Sequence, residues 1–437
     1  MFKLNISIKQ FIWVELIAIL FGLPLSSCNS LIQPINSTPT LNSSSTQTPI
    51  PTSALTITTP ATQPEVLRLW LPPQWDPNSN SNGGRLLEAR LNAFQAQFPD
   101  FPMEIRIKAN DGVGGMLDSL TTASSAAPSA LPDLVLLSRP LLETAAQKGI
   151  LHPLNSATKN PDEGFWYPYA HQISMVQNTN YGVPFIGDLL ILAYSQSLLS
   201  AEIPKEWNHW LSSPYTLGFN AADPQASVLL ALYLLAGGSF QDDQGYPKLD
   251  ADILTKVIED IAVASRQGKI PQWVAQADNT QLIMDELEKK QVDFLYLWSS
   301  TFLQGNHASW NILPGFYQNN QTICLANGWI WASSSPQANK IGISFQLANF
   351  LSDKEFLAEL SENSAGVPTQ PAALSLWNDK ELAVSLDTIS KVAQSIPTTG
   401  ISSTISPALH NALMAVLKDH TPVPQAVSDA LASMNKP

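Results

Sequence analysis

The sequence predicts an α/β fold built on mostly parallel sheets and divided into two domains. Three observations carry that reading. From residue 65 onward, strand-like and helix-like patterns alternate, which is the order of a parallel sheet with crossover helices. The run Leu131–Leu137 is apolar almost without interruption, as a strand covered on both faces must be. About 370 residues follow the leading segment, more than one hydrophobic core usually grows to.

Taken in order, the first strand is Glu65–Leu71, where Leu67, Leu69 and Leu71 alternate with Arg68 and Trp70, and Pro72 and Pro73 stop it. A loop rich in Asn and Gly runs from Gln74 to Gly84. Leu87, Leu91, Phe94 and Phe98 then recur at helical spacing up to Pro99. Met103–Lys108 alternates as a second strand, and Leu131–Leu137 is the third. Gly182–Tyr194 opens a second strand system, joined by short strands at Tyr215–Asn220 and Val292–Trp298 with an apolar helix at Ala226–Leu235 between them. Asn339–Leu351 and Lys354–Asn363 read as helices, and two more close the chain near Pro407–His420 and Pro424–Met434. The sequence shows no internal repeat.

The N-terminus has a separate logic. Lys3 and Lys9 precede an apolar stretch from Leu16 to Leu25, and small residues lead to Leu25-Ser26-Ser27-Cys28. That is the layout of a secretory signal. Glu15 interrupts the apolar run, leaving it short of the ~20 residues that a membrane span needs. The Leu-Ser-Ser-Cys end resembles the lipobox of bacterial lipoproteins. The resemblance implies removal of residues 1–27 and acylation (palmitate among the candidates) of Cys28, and so attachment to a lipid bilayer. Residues 29–64 carry no charge and are rich in Ser, Thr, Pro, Asn and Gln. Such a segment buries too little apolar surface to offset chain entropy, so 28–64 is expected to be a disordered tether. As a flexible coil it would reach about 30–35 Å.

Composition excludes several functions. The formal charge of −13 becomes −14 on loss of Lys3, Lys9 and Glu15, so a basic face for nucleic acid is not expected. Only two cysteines are present, and an acylated Cys28 leaves Cys324 without a disulfide partner. His152, His171, His209, His307, His410 and His420 are scattered, and no metalloprotease, nucleophile-elbow or phosphate-loop motif occurs. No metal, no cofactor and no catalytic residue is therefore expected, and the protein is not read as an enzyme. Asp242-Asp243 beside Gly245 reads as a solvated turn. The rival reading is a lipid-anchored carbohydrate-active hydrolase with a carboxylate pair about 5–9.5 Å apart.

Several local features occur in one order: a strand ending at Leu69-Trp70, a helix ending Phe94 to Pro99, Pro132-Asp133, Val183-Pro184-Phe185, Ile203 to Trp207, Gly237 to Phe240, Asn327-Gly328-Trp329 and Ala365 to Pro368. From Glu65 to the C-terminus this order resembles the sugar-type extracellular solute-binding proteins of ABC importers, the maltose-binding class. The resemblance implies a two-lobed periplasmic-binding-protein fold with a ligand cleft. Lobe one would be 65–187 plus 327–366, and lobe two 188–326 plus 367–437. It implies a monomer that captures a carbohydrate, or another polar solute, and delivers it to a membrane permease, or serves a sensor. Hinges would lie near Phe185–Gly187 and Ile323–Asn327.

A sugar presents apolar C–H faces and a rim of hydroxyls, so its site needs flat rings and planar hydrogen-bonding groups at strand ends. The family's positions fall on Trp70, on Gln74 and Trp75 in the loop after it, and on Ser138 and Arg139 after the third strand. They fall also on Asp188 after the Val-Pro-Phe segment, on Trp298 at a strand end, and on Trp329 or, two residues on, Trp331. Asp133 reads as structural, and Trp207 and Trp210 as packing. Around Gly400–Ser406, where the family often has an aromatic, this sequence has none.

Overall fold

The computed structural model describes residues 65–154, 164–200, 202–277 and 280–434. The expected signal segment, Cys28 and the expected tether lie outside those residues. The first half of the sheet begins with β1 (Leu67–Leu71), α1 (Asn82–Gln97), β2 (Met103–Ile107), α2 (Met116–Ala126), β3 (Leu134–Ser138) and α3 (Arg139–Gln147). Ser81 caps α1 by accepting from the Gly84 amide at 2.9 Å, and Leu87, Leu91 and Phe94 are buried along one face. Next come α4 (Pro168–Ser174), a hairpin of β4 (Met175–Val176) and β5 (Thr179–Asn180), and the long strand β6 (Gly182–Ser195).

The second half holds α5 (Trp207–Ser212), β7 (Leu217–Phe219), α6 (Ser227–Leu235), α7 (Ala251–Arg266), α8 (Thr280–Lys289), β8 (Phe294–Trp298), α9 (Ser299–Gln304) and β9 (Trp310–Leu313). A hairpin of β10 (Tyr317–Gln318) and β11 (Gln321–Thr322) leads into β12 (Cys324–Ser333). The chain continues through α10 (Ala338–Leu351), α11 (Lys354–Ser364), β13 (Val367–Pro368), α12 (Pro371–Leu374), α13 (Lys380–Val392), β14 (Ala393–Ser395), α14 (Thr399–Leu417) and α15 (Val423–Met434).

The main sheet runs β2-β1-β3-β12-β6-β8-β7. Its outer strands are parallel: β1 with β2 and β3, and β7 with β8. The two long central strands are antiparallel to each other and to those flanks. They therefore belong to both halves and carry the chain from one to the other, and β14 runs parallel beside β12 as a further crossing. Alternation along β6 divides its side chains between two cores. Leu190, Leu192 and Tyr194 join a core with α6, α7 and α14, whereas Ile191 and Ala193 join the one that contains β1, β3 and α10. Asp133 is structural: its carboxylate accepts from the Arg68 amide at 2.9 Å and the Ser335 hydroxyl at 2.6 Å, with Lys340 at 3.6 Å.

The central strands meet at paired glycines, Gly187 on β6 and Gly328 on β12. A β-carbon on Gly187 would collide with the Tyr169 hydroxyl, and one on Gly328 would lie 2.6 Å from Ile173 Cδ1. Helix α4 thus rests directly on the bare backbone of the crossing. The sheet register shifts immediately beyond, between Trp329 and Ile330.

One element differs from the sequence reading. The helix expected to start at Pro407 begins at Thr399 and carries Pro407 inside it. Proline at a helix start is the common case because its missing N–H is no loss there. Here the preceding turn is held by the Ser402 and Ser403 hydroxyls, which donate to the Thr399 and Gly400 carbonyls. Cys324 is free and fully buried, and burial pushes its thiol far up from the ordinary value. Asp242 accepts from the Gln244 and Tyr246 amides, as in an isolated turn.

Candidate functional site

The strand register brings two strand–helix junctions face to face. β3 runs against β12 so that its last residue, Ser138, pairs with Trp329, which in turn pairs with Ile186 of β6. β8 runs against β6 so that its last residue, Trp298, pairs with Leu190. The carboxyl ends of β3 and β8 therefore point toward each other, separated by four residues of β6, about 13 Å at ~3.3 Å per residue. A crevice outside the carboxyl ends of α/β strands is where such folds bind ligands. Each strand passes at once into a helix, so the amino ends of α3 and α9 both face the gap with their positive dipole ends.

The junction on β8 is saturated. The Asp188 carboxylate accepts from the Ser300 amide at 2.9 Å, the Ser300 hydroxyl at 2.7 Å and the Ser299 hydroxyl at 2.9 Å. Ser299 Oγ accepts in turn from the Leu189 amide at 2.9 Å. Burial raises the Asp188 carboxyl above its usual range, and these hydrogen bonds oppose the rise. Asp188 thus fastens β6 to the start of α9.

The junction on β3 is different. Arg139 opens α3 and is only 6% exposed, yet its Nε and Nη1 have no hydrogen-bond partner among the described residues. Its nearest acid, Glu143, lies 3.9 Å from Nη2, beyond hydrogen-bonding reach. That carboxylate is already engaged by the Thr399 amide at 2.9 Å and the Thr399 hydroxyl at 3.1 Å, so it caps α14. Burial lowers the guanidinium's pKa and Glu143 opposes that shift.

The tryptophans separate by burial. Trp70 is 3% exposed with the Lys108 ammonium 4.6 Å from its ring centroid, and Trp75 is 6% exposed against Phe185 at 5.3 Å. Both sit in the core, with little ring face left free. Trp331 is fully buried against Phe185, 5.1 Å between centroids. Trp329 and Trp298 are only partly buried. Gln74 is exposed and its Oε1 accepts from Asn110 at 3.4 Å. Trp298 borders a cavity of about 140 Å³ that also touches Asn220, Asp223, Ser227 and Tyr296. Asn220 follows β7, and its buried Oδ1 has no partner among the described residues. Asp223 accepts from the Ser227 amide and hydroxyl at 3.0 and 2.6 Å. The sequence reading missed these two, although a polar residue directly after a strand was a usable signal. Trp207 and Trp210 stack at 5.0 Å in the core.

Among the described residues no group of three or more His, Cys, Asp or Glu could hold a metal ion, and no helix is long and apolar enough to cross a membrane. What this arrangement offers is a gap between the carboxyl ends of β3 and β8, with one partly buried indole at the end of β8 and another paired with the end of β3.

Comparison with known proteins bears on this geometry. None of the curated proteins matches the chain significantly. Among solved structures, the sugar-binding protein MalE from the phytopathogen Xanthomonas citri superposes with a TM-score of 0.67 at 17% identity, covering 84% of this chain and 96% of that one. Maltose-bound T. maritima MalE3 gives 0.64 at 15%, covering 84% and 98%. An ABC transporter solute-binding protein from Thermotoga lettingae bound with α-D-tagatose gives 0.65 at 17%, covering 85% and 99%. These likenesses establish the two-lobed binding-protein fold. The model of the bacterial extracellular solute-binding proteins matches residues 89–384, more than half of the sequence. The chain belongs to the bacterial extracellular solute-binding protein family.

Proposed function

We propose that this protein is the lipid-anchored receptor of an ABC importer, which captures a carbohydrate in the crevice between its lobes and hands it to a membrane permease. The observation that carries the reading is the opposition of the β3 and β8 ends across the crossing strands, with Trp329 and Trp298 partly exposed beside them. Indole faces suit the C–H faces of a sugar, and Asn220 and Ser138 suit its hydroxyls. The similar structures named above include proteins described with maltose and tagatose, which supports the choice of solute class. Ligand identity within that class follows from the test below.

The lobes would turn about the Gly187–Gly328 pair. We place the last crossing at β14, later than residue 366, because the segment before it packs on the first lobe: Tyr167 Oη donates to Asp387 at 2.8 Å and Trp377 Nε1 to Ser361 Oγ at 2.9 Å. Anchoring through Cys28 would keep the receptor beside its permease.

Thermal unfolding of the purified protein against a panel of mono- and oligosaccharides tests the binding reading. A saccharide at one hundred times its dissociation constant should add about 2.7 kcal/mol of stability. Trp298→Ala should remove most of that gain, and a stabilised Trp298→Ala protein would refute the site. Turnover of the saccharide instead of stoichiometric retention would favour a hydrolase. For the anchor, Cys28→Ala should move the protein from the membrane fraction to the soluble one.

A further inference from the structure

Two cations directly follow strands whose carboxyl ends lie on the first-lobe side, and among the described residues neither has a hydrogen-bonded acid. Lys108 is the first residue after β2 and Arg139 the first after β3. In the sheet order β2-β1-β3 their backbones stand two strand spacings apart, about 10 Å. Lys108 forms no ion pair among the described residues; its ammonium rests over Trp70. Arg139 is only 6% exposed, and its Nε and Nη1 have no hydrogen-bond partner among the described residues. Its ion pair with Glu143 is long, 3.9 Å at Nη2, and Glu143 is also engaged by Thr399, so Nε and Nη1 of this buried guanidinium carry an uncompensated desolvation cost. Of the acids in the segments that follow β1 and β2, Asp76 accepts from the Asn78 amide and Asp118 from the Gly114 amide, whereas Asp111 is exposed to solvent. The amino end of α3 adds positive potential beside Arg139. All this occurs in a chain whose formal charge is −13, so the local sign runs against the whole.

We infer that the solute carries an anionic oxygen group, a carboxylate or a phosphate, which docks on Arg139 and Lys108 while the rest of the molecule lies toward Trp298. The inference rests on the carbohydrate reading and narrows it to acidic saccharides. Charge-assisted hydrogen bonds to a desolvated guanidinium discriminate by more than a neutral hydroxyl contact does. Lys108, half-exposed, would act mainly through its charge.

Calorimetric titration of the full-length protein with glucose, maltose, glucuronate, digalacturonate, glucose 6-phosphate and the non-sugar dicarboxylate succinate tests it. The expected result is that one acidic saccharide binds at least tenfold more tightly than its neutral counterpart, with carboxylate and phosphate probes separating the two anion sources. Arg139→Gln should weaken that probe about 10- to 100-fold, and Lys108→Gln should weaken it severalfold and flatten its salt dependence. Arg139→Lys, which keeps the charge at a buried site, guards against a folding defect, and the ratio of acidic to neutral affinity is read in each variant. Tighter binding of the neutral sugars, unaffected by either substitution, overturns the anionic inference and leaves the carbohydrate reading standing. Succinate binding without any saccharide binding overturns the carbohydrate reading and supports the anion site. Failure of every probe overturns both.

Discussion

The β8–α9 junction and the β3–α3 junction are the same device used for opposite ends. Each is a strand that ends at the gap and turns directly into a helix. At β8–α9 the charged residue, Asp188, arrives from the neighbouring strand and every hydrogen bond is made inside the protein. At β3–α3 the charged residue, Arg139, belongs to the helix itself and is left with donors unspent among the described residues. A buried polar group that is fully satisfied fixes geometry, and one that is not leaves a demand for something that arrives later. The difference teaches that two junctions of one design can differ in what they leave unsatisfied: one spends its donors and acceptors on the framework, and the other does not.

The comparison breaks most readily at Asp188. Asp188→Ala would strip the α9 amino end of its cap and leave the Ser299 and Ser300 hydroxyls and the Ser300 amide without their acceptor. A loss of about 3 kcal/mol in urea unfolding is expected. If Asp188 were instead a ligand group, stability would hardly change and solute affinity would collapse. Next in size is Gly187→Ala. The added methyl would meet the Tyr169 hydroxyl, which is fully buried and has no room to retreat. Overpacking of this kind costs about 2 kcal/mol. Because the position lies between the two junctions, the same variant should also change solute affinity without touching either one, and titration beside the melt measures both.

Much of the frame was legible in the sequence because it depends on neighbours along the chain. The Leu131–Leu137 run announced a covered strand, observed as Leu134–Ser138, and the Leu87, Leu91, Phe94 spacing announced α1. Trp298 was readable as a strand end for the same reason. The site was less legible because its decisive contacts are distant in sequence. Asp188 meets Ser299 and Ser300 from 111 and 112 positions away, and Glu143 meets Thr399 from 256. Alternation put Trp70 on the same face as Arg68, yet Trp70 is buried, since Lys108 folds over its ring from the end of β2. No local pattern carries that information. α7 and α13, unread in the sequence, are amphipathic helices whose capping aspartates, Asp250 and Asp379, were available signals.

The smallest expected effect is also the one that separates the two junctions by titration. Burial raises the Asp188 carboxyl in the folded protein above its unfolded value. The folded state therefore takes up a proton at higher pH than the unfolded chain does. The stability that this protonation contributes is complete below the unfolded pKa, about 3.9, and is lost as pH rises through the raised folded value. Asp188→Asn cannot titrate, so it lacks that contribution at every pH. The stability of the parent minus that of Asp188→Asn should be largest near pH 4 and shrink toward pH 7, as urea melts at the two pH values would measure. Arg139→Gln should show no such trend over the same range, because a guanidinium stays charged throughout it. A difference that instead grew with pH would mean that the Ser299 and Ser300 hydrogen bonds outweigh desolvation, and that the β8–α9 junction holds its charge as a stabilising anion.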